Sequence, residues 1–263
     1  MPPPLSRREE RLLRSLSQRK HREAEGLFLA EGVRSVEDLA ASPLPVRVAA
    51  VSSSLGDSER GLELLQVLER QGVPLREAGE RELRELAGTE QPQGIVAAAE
   101  IPRHGLGALA VDADPAVVLV LDAVQDPGNF GTLVRTAEAL GAAGVVTLPG
   151  TVDPWNPKSV RAAMGSGFRL PMVPAEWSEL APWLEQRGLV AVAAVVGADP
   201  LPAPPPARAA LVLGNEGAGV GEQTLARAAV RAGIPIRGRA ESLNVAAAGA
   251  ILLYELLRHH APR

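Results

Sequence analysis

The sequence predicts an α/β protein in which a small α/β domain precedes a larger, mostly parallel sheet with helices on both faces. Three observations predict this class. The apolar runs "VVLVLDAV", "LVAVAAVV" and "AALVLG" lack polar alternation, as expected of strands whose two faces are both covered by helices. Segments with helical spacing of apolar residues separate these runs. A first set of shorter strands and helices precedes them and ends near residue 104.

The front region shows its own alternation of helices and strands. Leucines at helical spacing predict a basic helix over residues 5–22, and "GLFLAEGVRSVEDLAAS" predicts a strand, a glycine turn and a helix. "PVRVAAVSS" alternates as a strand does, and "ERGLELLQVLERQG" places Leu62, Leu65 and Leu68 on one helical face before Gly72. "RELRELAGT" predicts another helix and "GIVAAAEI" another strand. We therefore assign residues 1–104 to a first domain and residues 105–263 to a second one.

The second region has a clearer strand–helix alternation after the connection "RHGLGALAVDADP". Its predicted strands are "VVLVLDAV", "GVVTL", "LVAVAAVV", "AALVLG" and "AGIPIRG". Its predicted helices are "GTLVRTAEALG", "KSVRAAMGSGF", "EQTLARA" and the long final segment "LNVAAAGAILLYELLRHH". Strands that alternate with helices in this way are typical of a parallel sheet covered on both sides.

Composition excludes several classes of protein. Of the 263 residues 46% are apolar but only 3% are aromatic, so the core must be built from Ala, Val and Leu. The absence of cysteine excludes disulfides and thiolate chemistry. There is neither an apolar run of the roughly 18 residues that a membrane span needs nor the apolar centre of a secretory signal, so we expect a cytoplasmic protein. The net charge of −4 gives no global basic field, although arginine, which dominates the cations, suits bidentate phosphate contacts.

Three unusual connections in the second region directly follow predicted strands: "DPGNFGTLVR", "LGNEGAGVG" and "IPIRGRAESLNVAAA". Open parallel sheets bind ligands at the carboxyl ends of their strands, so these connections are expected to converge. They fit neither common nucleotide motif. A dinucleotide fingerprint that starts at Gly217 would need glycine where Glu222 stands, and one that starts at Gly219 would need it where Thr224 stands. No glycine-rich turn here carries the lysine of a phosphate-binding loop.

Together these connections resemble a known family. "NFGTLVR", "LGNEGAGV" and "IPIRGRAESLNVAAAGAILLYELLR" are similar to motifs one, two and three of the SpoU (TrmH-type) RNA 2′-O-ribose methyltransferases of the SPOUT class. "EGLFLAEGVRSVEDL" and "TEQPQGIVAAAE" resemble the substrate-binding domain that is often fused ahead of that catalytic domain. The resemblance implies a trefoil knot, S-adenosylmethionine as cofactor, and a homodimer whose active site lies at the subunit interface. It also implies a front domain with a ribosomal-protein-like RNA-binding fold.

The resemblance also implies roles for individual residues. It marks Gly214, Ile234 and Leu243 as cofactor contacts, although the two apolar side chains are equally consistent with core packing. It marks Arg135 as the residue that acts on the ribose hydroxyl. Since a guanidinium stays protonated in proteins, we favour phosphate binding and orientation of the hydroxyl over general-base catalysis. The other implied catalytic residues are Asn129, Glu216, Ser242 and Asn244.

Each of these polar residues also has an explanation without catalysis. An asparagine such as Asn129 is common in turns, and a glutamate such as Glu216 is common on a solvent-facing turn. Alternatively, Glu216 could hold Arg135 or a backbone amide. Ser242 and Asn244 precede a helix, where helix capping alone explains both residue types. The motifs in combination favour the functional interpretation.

Contacts to RNA are expected from basic residues in two segments. Such contacts supply affinity and salt dependence rather than sequence recognition. A solvated helix face is the alternative for the second segment. The first segment has Arg7, Arg8, Arg11 and Arg14, and the second has Lys158 and Arg161.

Ribosomal RNA is the favoured substrate, because the tRNA enzymes of this group usually lack such a front domain. The alternatives are a tRNA 2′-O-methyltransferase, a related base methyltransferase, and a non-catalytic RNA-binding factor with the same fold. We expect no metal, because no cluster of histidine and acidic residues has metal-ligand spacing. We also expect no catalytic role for the four histidines, His21, His104, His259 and His260.

Overall fold

The computed structural model describes residues 2–87 and 93–258. His259, His260 and part of the "TEQPQGIVAAAE" segment lie outside the described residues. The strands are β1 (Leu27–Glu31), β2 (Val46–Val51), β3 (Leu75–Glu77), β4 (Ile95–Glu100), β5 (Ala116–Leu121), β6 (Gly144–Thr147), β7 (Met172–Pro174), β8 (Val190–Ala194), β9 (Arg208–Leu213) and β10 (Val230–Ala232). The helices are α1 (Arg7–Ser15), α2 (Arg19–Glu25), α3 (Val33–Ala40), α4 (Glu59–Arg70), α5 (Glu80–Ala87), α6 (Pro127–Leu140), α7 (Pro157–Ala163), α8 (Trp177–Gln186), α9 (Glu222–Arg227) and α10 (Val245–Arg258).

These elements form two compact units. The first comprises Met1–Pro102 together with Trp155–Arg169, and the second comprises Arg103–Pro154 together with Leu170–Arg263. The sequence placed residues 105–263 in one domain, whereas the structure packs residues 155–169 with the front unit. The ring of Phe28 lies 4.4 Å from that of Trp155 and 5.6 Å from that of Phe168, centroid to centroid. These aromatic contacts attach the segment to β1.

The first unit contains a four-stranded sheet in the order β1-β4-β2-β3. β4 pairs antiparallel with both β1 and β2, and β2 pairs parallel with β3. The single helix expected over residues 5–22 is wrong, because α1 ends before Leu16 and α2 starts at Arg19. The guanidinium of buried Arg22 donates to the carbonyls of Leu16 and Ser17, at 2.8 and 2.9 Å. These carbonyls therefore accept from a side chain at the break between the two helices.

The second unit contains a six-stranded sheet in the order β10-β8-β9-β5-β6-β7, and every pair in it is parallel. Side chains alternate between the two faces of a strand. On one face, Val118 and Val120 pack in a core with Leu180 of α8. On the other face, Gly249 of α10 lies against Leu213 and against Leu133 of α6. The predicted parallel sheet with helices on both faces is therefore confirmed.

Two parts of the second unit differ from the sequence prediction. The strand expected in "AGIPIRG" is displaced, because β10 ends at Ala232 and the following residues up to Asn244 form no strand or helix. A Cβ atom on Gly233 would lie 2.3 Å from the Ala198 carbonyl oxygen, so the chain passes very close to the end of β8 here. β7 and α8 were not predicted, because β7 has only three residues and α8 contains Pro182.

Candidate active site

The turn after β5 prepares the start of α6. Ala123 adopts a positive φ of 59°, and its amide donates to the Thr151 hydroxyl at 3.1 Å. Asp126 then caps α6 by accepting from the Asn129 amide at 2.8 Å, and Pro127 occupies the first helical turn. Asp at this position and Pro just after it are favoured helix starts. The cap places the Asn129 side chain at the carboxyl edge of the sheet.

The turn after β9, residues 214–221, is called the glycine loop below. Its first residue, Gly214, lies very close to the backbone at the other end of the loop. A Cβ atom on Gly214 would be 2.2 Å from the Gly219 carbonyl carbon and from the Val220 nitrogen. Asn215 and Gly219 exchange backbone hydrogen bonds of 2.9 Å. The side-chain oxygen of Asn215 also accepts from the amides of Gly217 and Ala218, both at 3.0 Å. The loop therefore has one defined shape.

The carboxylate of Glu216 connects the glycine loop to the start of α6. It accepts from the backbone amides of Gln125 and Asp126 at 3.1 and 3.0 Å, and from Nδ2 of Asn129 at 3.1 Å. Burial raises the pKa of the Glu216 carboxyl, but the hydrogen bonds from these three donors outweigh burial and hold the pKa below its ordinary value. Glu216 is therefore ionised at neutral pH and held mainly by backbone amides, one of the two partners that the sequence suggested.

Asn244 brings in the third connection. Its side-chain oxygen accepts from the amides of Ala246 and Ala247 at the start of α10, at 2.9 and 3.2 Å. Its Nδ2 donates to the side-chain oxygen of Asn129 at 2.8 Å. Asn244 is therefore both the helix cap that the sequence allowed and a member of a continuous chain, Glu216–Asn129–Asn244. The three strand-end connections converge at this chain.

A cleft of about 420 Å³ opens beside this network, between the ends of β8, β9 and β10. Its size is that of an ordinary small-molecule site. Its walls are backbone of the glycine loop and small or aliphatic side chains, including 39% exposed Leu243. Five of the predicted site residues line it: Gly214, Glu216, Ile234, Ser242 and Leu243.

Comparisons with known proteins agree with this geometry. The SpoU rRNA Methylase family matches residues 116–254, and the MRM3-like substrate binding domain matches residues 11–97. The chain belongs to the SpoU rRNA methylase family. The predicted family and enzyme class are confirmed.

Two curated relatives and one solved structure resemble this SpoU methylase over nearly its whole length. A 23S rRNA (guanosine(2553)-2′-O)-methyltransferase, RlmP of Bacillus subtilis, is 36% identical over 92% of this chain and 93% of its own. A 23S rRNA (uridine(2479)-2′-O)-methyltransferase of Streptomyces viridochromogenes is 32% identical over 92% and 86%. An AdoMet-bound rRNA methyltransferase from Sinorhizobium meliloti superposes with a TM-score of 0.83 at 30% identity, covering 98% of this chain and 97% of its own. The AdoMet bound to that Sinorhizobium meliloti protein is S-adenosylmethionine, the cofactor that the sequence resemblance implies.

Arg135 of the SpoU methylase lies apart from the cleft. It is an exposed residue of α6, two turns after the helix start, and it is not among the cleft-lining residues. Glu216, the alternative partner that the sequence suggested, instead binds the amides at the start of the same helix. The role of Arg135 therefore stays a prediction.

The predicted RNA-binding residues of the SpoU methylase lie in its first unit. Arg14 pairs with Glu10 at 2.8 Å and also with Glu85, and Arg161 pairs with Glu31 at 2.8 Å. These two arginines stabilise the unit itself. The other predicted contacts are exposed: Arg7, Arg8, Arg11 and Lys158.

Sequence reasoning missed Asp122, Asn215 and Thr224 of the SpoU methylase. Asn215 shapes the glycine loop and also donates to the Ala123 carbonyl at 2.9 Å. Asp122 accepts from the Gly221 amide at 2.9 Å and from the Thr224 hydroxyl at 2.5 Å. The only signal in the sequence was a polar residue at the end of an apolar strand, in "VVLVLDAV". Its partners cannot be identified without the fold.

The described residues contain neither a metal-binding cluster nor a membrane-spanning helix. No group of three or more histidine or acidic side chains there is arranged to hold a metal ion. In residues 2–87 and 93–258 of the SpoU methylase, no helix is long and apolar enough to cross a bilayer.

Proposed function

We propose that this enzyme transfers the methyl group of S-adenosylmethionine to a ribose 2′-hydroxyl of 23S rRNA. The observation that carries this proposal is the cleft beside the Glu216–Asn129–Asn244 chain. The two curated relatives act on 23S rRNA, but on a guanosine and a uridine respectively. The target nucleotide must therefore be mapped rather than inferred. An rRNA substrate implies a cytoplasmic enzyme.

The cleft fits a nucleoside-containing cofactor. Ile234 and Leu243 supply apolar surface for an adenine ring, and the backbone of the glycine loop offers donors and acceptors for its polar edge. S-adenosylmethionine would supply a methyl group bonded to a sulfonium sulfur; the ribose oxygen would take up this methyl group as the carbon–sulfur bond breaks and the neutral thioether S-adenosylhomocysteine leaves. Glu216 and Asn244 hold the walls of the cleft in place before the cofactor arrives, which reduces the ordering cost of binding.

We assign Arg135 the task of binding a phosphate next to the target ribose and orienting the 2′-hydroxyl. Its guanidinium stays protonated, so it cannot accept the proton of that hydroxyl. Its planar fork suits a phosphate. Because Arg135 is not among the residues that line the cleft of its own chain, we propose that it serves the cleft of a second copy.

A homodimer through α6 and α10 satisfies this requirement. These two helices pack on each other, and α10 exposes Ile251 and Tyr254, which are 42% and 54% accessible. Such apolar side chains on one helix face favour a protein interface. The test is the molar mass in solution by light scattering. A dimer that Ile251→Glu dissociates supports the proposal, and a monomeric wild-type protein rejects it.

We also propose that the chain after β9 is threaded into a trefoil knot, as the family resemblance implies. The close passage of Gly233 by Ala198 and of Gly214 by Val220 supports a tightly threaded segment. Pulling a single molecule from its two ends tests this. A knotted chain stops short of the full contour of about 3.5 Å per residue, whereas an unknotted chain reaches it.

RNA binding is assigned to residues 1–104 together with residues 155–169, which pack with them, and catalysis to the rest of residues 105–263. Arg237 and Arg239 add a basic element to the catalytic domain. They lie between Ile236 and Ser242, which both line the cleft, and both arginines are exposed. Among the described residues neither forms an ion pair with a carboxylate, unlike Arg187 and Arg208 of the same unit. We propose that they contact phosphates that flank the target ribose.

The activity test uses labelled S-adenosylmethionine with rRNA that lacks its 2′-O-methyl groups, with tRNA as the matched control. Methyl transfer to rRNA that protects one phosphodiester from alkaline hydrolysis supports the proposal. Transfer to a base atom, or to tRNA alone, rejects it. RNA binding without any transfer would instead favour the non-catalytic binding factor.

A further inference from the structure

Asp122, Thr224 and Trp177 form a partly buried chain of side-chain hydrogen bonds at the end of the glycine loop. Asp122 follows β5, and its Oδ2 accepts from the Thr224 hydroxyl at 2.5 Å and from the Gly221 amide at 2.9 Å. Trp177 donates from its indole nitrogen to the same hydroxyl at 3.1 Å. Thr224 is 1% exposed and Trp177 is 7% exposed. None of these three side chains lines the cofactor cleft.

The direction of each bond in this chain is determined by chemistry. An indole N–H can only donate and an ionised carboxylate can only accept. The Thr224 hydroxyl must therefore accept from Trp177 and donate to Asp122, which leaves it a single orientation. Because the Thr224 hydroxyl at the centre of this chain is buried, removing one of its partners leaves a costly unsatisfied group.

The hydrogen bonds of Asp122 hold the end of the glycine loop, whose start is held by other residues. Near its start, Asn215 donates to the Ala123 carbonyl, and Glu216 accepts from the Gln125 and Asp126 amides. At its end, Gly221 donates to Asp122. All of these anchors lie in residues 122–126, so the loop is held at both ends against one short turn.

The hydrogen bond between Gly221 and Asp122 is close in sequence to residues that line the cofactor cleft. Val220 and Leu225 both line the cleft, and they flank the anchored residues Gly221 and Thr224. A shift of Gly221 away from Asp122 would therefore move Val220 into or out of the cleft.

We propose that Asp122, Thr224 and Trp177 form a positioning device that sets the width of the cofactor cleft through Gly221. The proposal rests on the proposed cofactor site and adds residues that touch neither cofactor nor RNA. Its chemical role is to fix the loop so that S-adenosylmethionine meets a preformed wall. Loss of the device weakens cofactor binding more than it slows the methyl transfer of the bound complex.

The test compares Thr224→Val, which removes the hydroxyl and keeps the shape, with Thr224→Ser, which keeps the hydroxyl. Calorimetric titration with S-adenosylhomocysteine gives the Kd without turnover. We expect about a tenfold higher Kd and a similarly raised KM for S-adenosylmethionine in Thr224→Val, the size of one lost buried hydrogen bond. We expect kcat and the Kd for RNA to change little, and Thr224→Ser to restore the wild-type Kd. Thr136→Val, whose hydroxyl bonds only Thr132 of its own helix, is the matched control.

Thermal unfolding separates positioning from a merely structural role. A folded Thr224→Val protein with a lower Tm but an unchanged Kd overturns the proposal. If Thr224→Val does not fold, Asp122→Ala is measured instead, since it removes the acceptor of both the Thr224 hydroxyl and the Gly221 amide; an unchanged Kd in that variant also overturns the proposal. A wild-type protein that does not bind S-adenosylhomocysteine refutes the cofactor site itself, which is a different outcome.

Discussion

Gly214→Ala should abolish most cofactor binding by moving the glycine loop. The added methyl carbon would lie 2.2 Å from backbone atoms of Gly219 and Val220, whereas ordinary contacts begin at 3.4 Å. The loop must therefore move by at least about 1 Å, since no flexible side chain can yield instead. Overpacking of this kind costs about 1–3 kcal/mol, which corresponds to a factor of about 5 to 150 in an equilibrium constant.

The assay is the Kd for S-adenosylhomocysteine together with the melting temperature. If the native loop absorbs the strain, stability falls, and a domain of this size loses about 2–4 °C per kcal/mol. If the loop moves, affinity falls by the factor above. Either way Gly214→Ala should be distinguishable from Gly217→Ala, where the new carbon meets only the Asn215 side-chain oxygen at 3.7 Å.

Gly217→Ala is therefore the matched control in the same loop. We expect its melting temperature to remain near the wild-type value. The reasoning is refuted if Gly214→Ala binds S-adenosylhomocysteine with the wild-type Kd and melts at the wild-type temperature. That result would mean that the close approach of Gly214 to Val220 carries no constraint.

Three further predictions concern charge. Arg135→Ala should reduce methylation by at least about 100-fold, as the loss of a charge-stabilising donor does, with nearly normal RNA binding in a filter assay. Glu216→Gln should weaken cofactor binding at neutral pH, because the amide cannot replace both acceptor oxygens. In the wild type, cofactor affinity should persist at pH 5. It should decrease only at a pH below 4.5, the ordinary pKa of a glutamate, because the pKa of Glu216 is lowered. Arg237→Ala combined with Arg239→Ala should reduce the slope of log K against log salt for single-stranded RNA by roughly 1.4.

Each of these predictions has its own contrary result. Unchanged turnover in Arg135→Ala would reject the role of that residue, and Arg135→Lys tests whether charge alone is enough. The Glu216 assignment fails if wild type and Glu216→Gln lose cofactor affinity in parallel as the pH falls below 4.5, because only the wild type has a carboxylate to protonate at this position. An unaltered salt slope in the double variant would place Arg237 and Arg239 away from the RNA.

Strand positions in the second unit followed from composition, because a parallel strand buried on both faces needs a continuous apolar run. β5 is buried at all six positions, as "AVVLVL" predicts. Short elements carry too few residues to give a period, so β7 and β10 were missed or displaced. In α4 the helix is present, but Leu62 is 48% exposed while Leu64 is buried. Helical spacing defined the helix better than its buried face.

In the candidate active site, too, the sequence predicted local features better than contacts between residues that are far apart in the chain. Asn129 and Asn244 follow strands, and the rule for parallel sheets predicted that their connections meet. The rule cannot say which donor faces which acceptor, because Glu216 and Gln125 are 91 positions apart in the chain. The sequence could not identify Thr224 for the same reason, because only tertiary packing buries this polar side chain and gives it its partners.

The bond between Asn244 and Asn129 has a consequence for synthesis. Translation proceeds from the N-terminus, so β5 and α6 exist long before residue 244 emerges. The candidate site thus lacks one of its walls until the segment that carries Ser242, Leu243 and Asn244 has been added. A polypeptide that stops before Asn244 therefore cannot form the Glu216–Asn129–Asn244 chain.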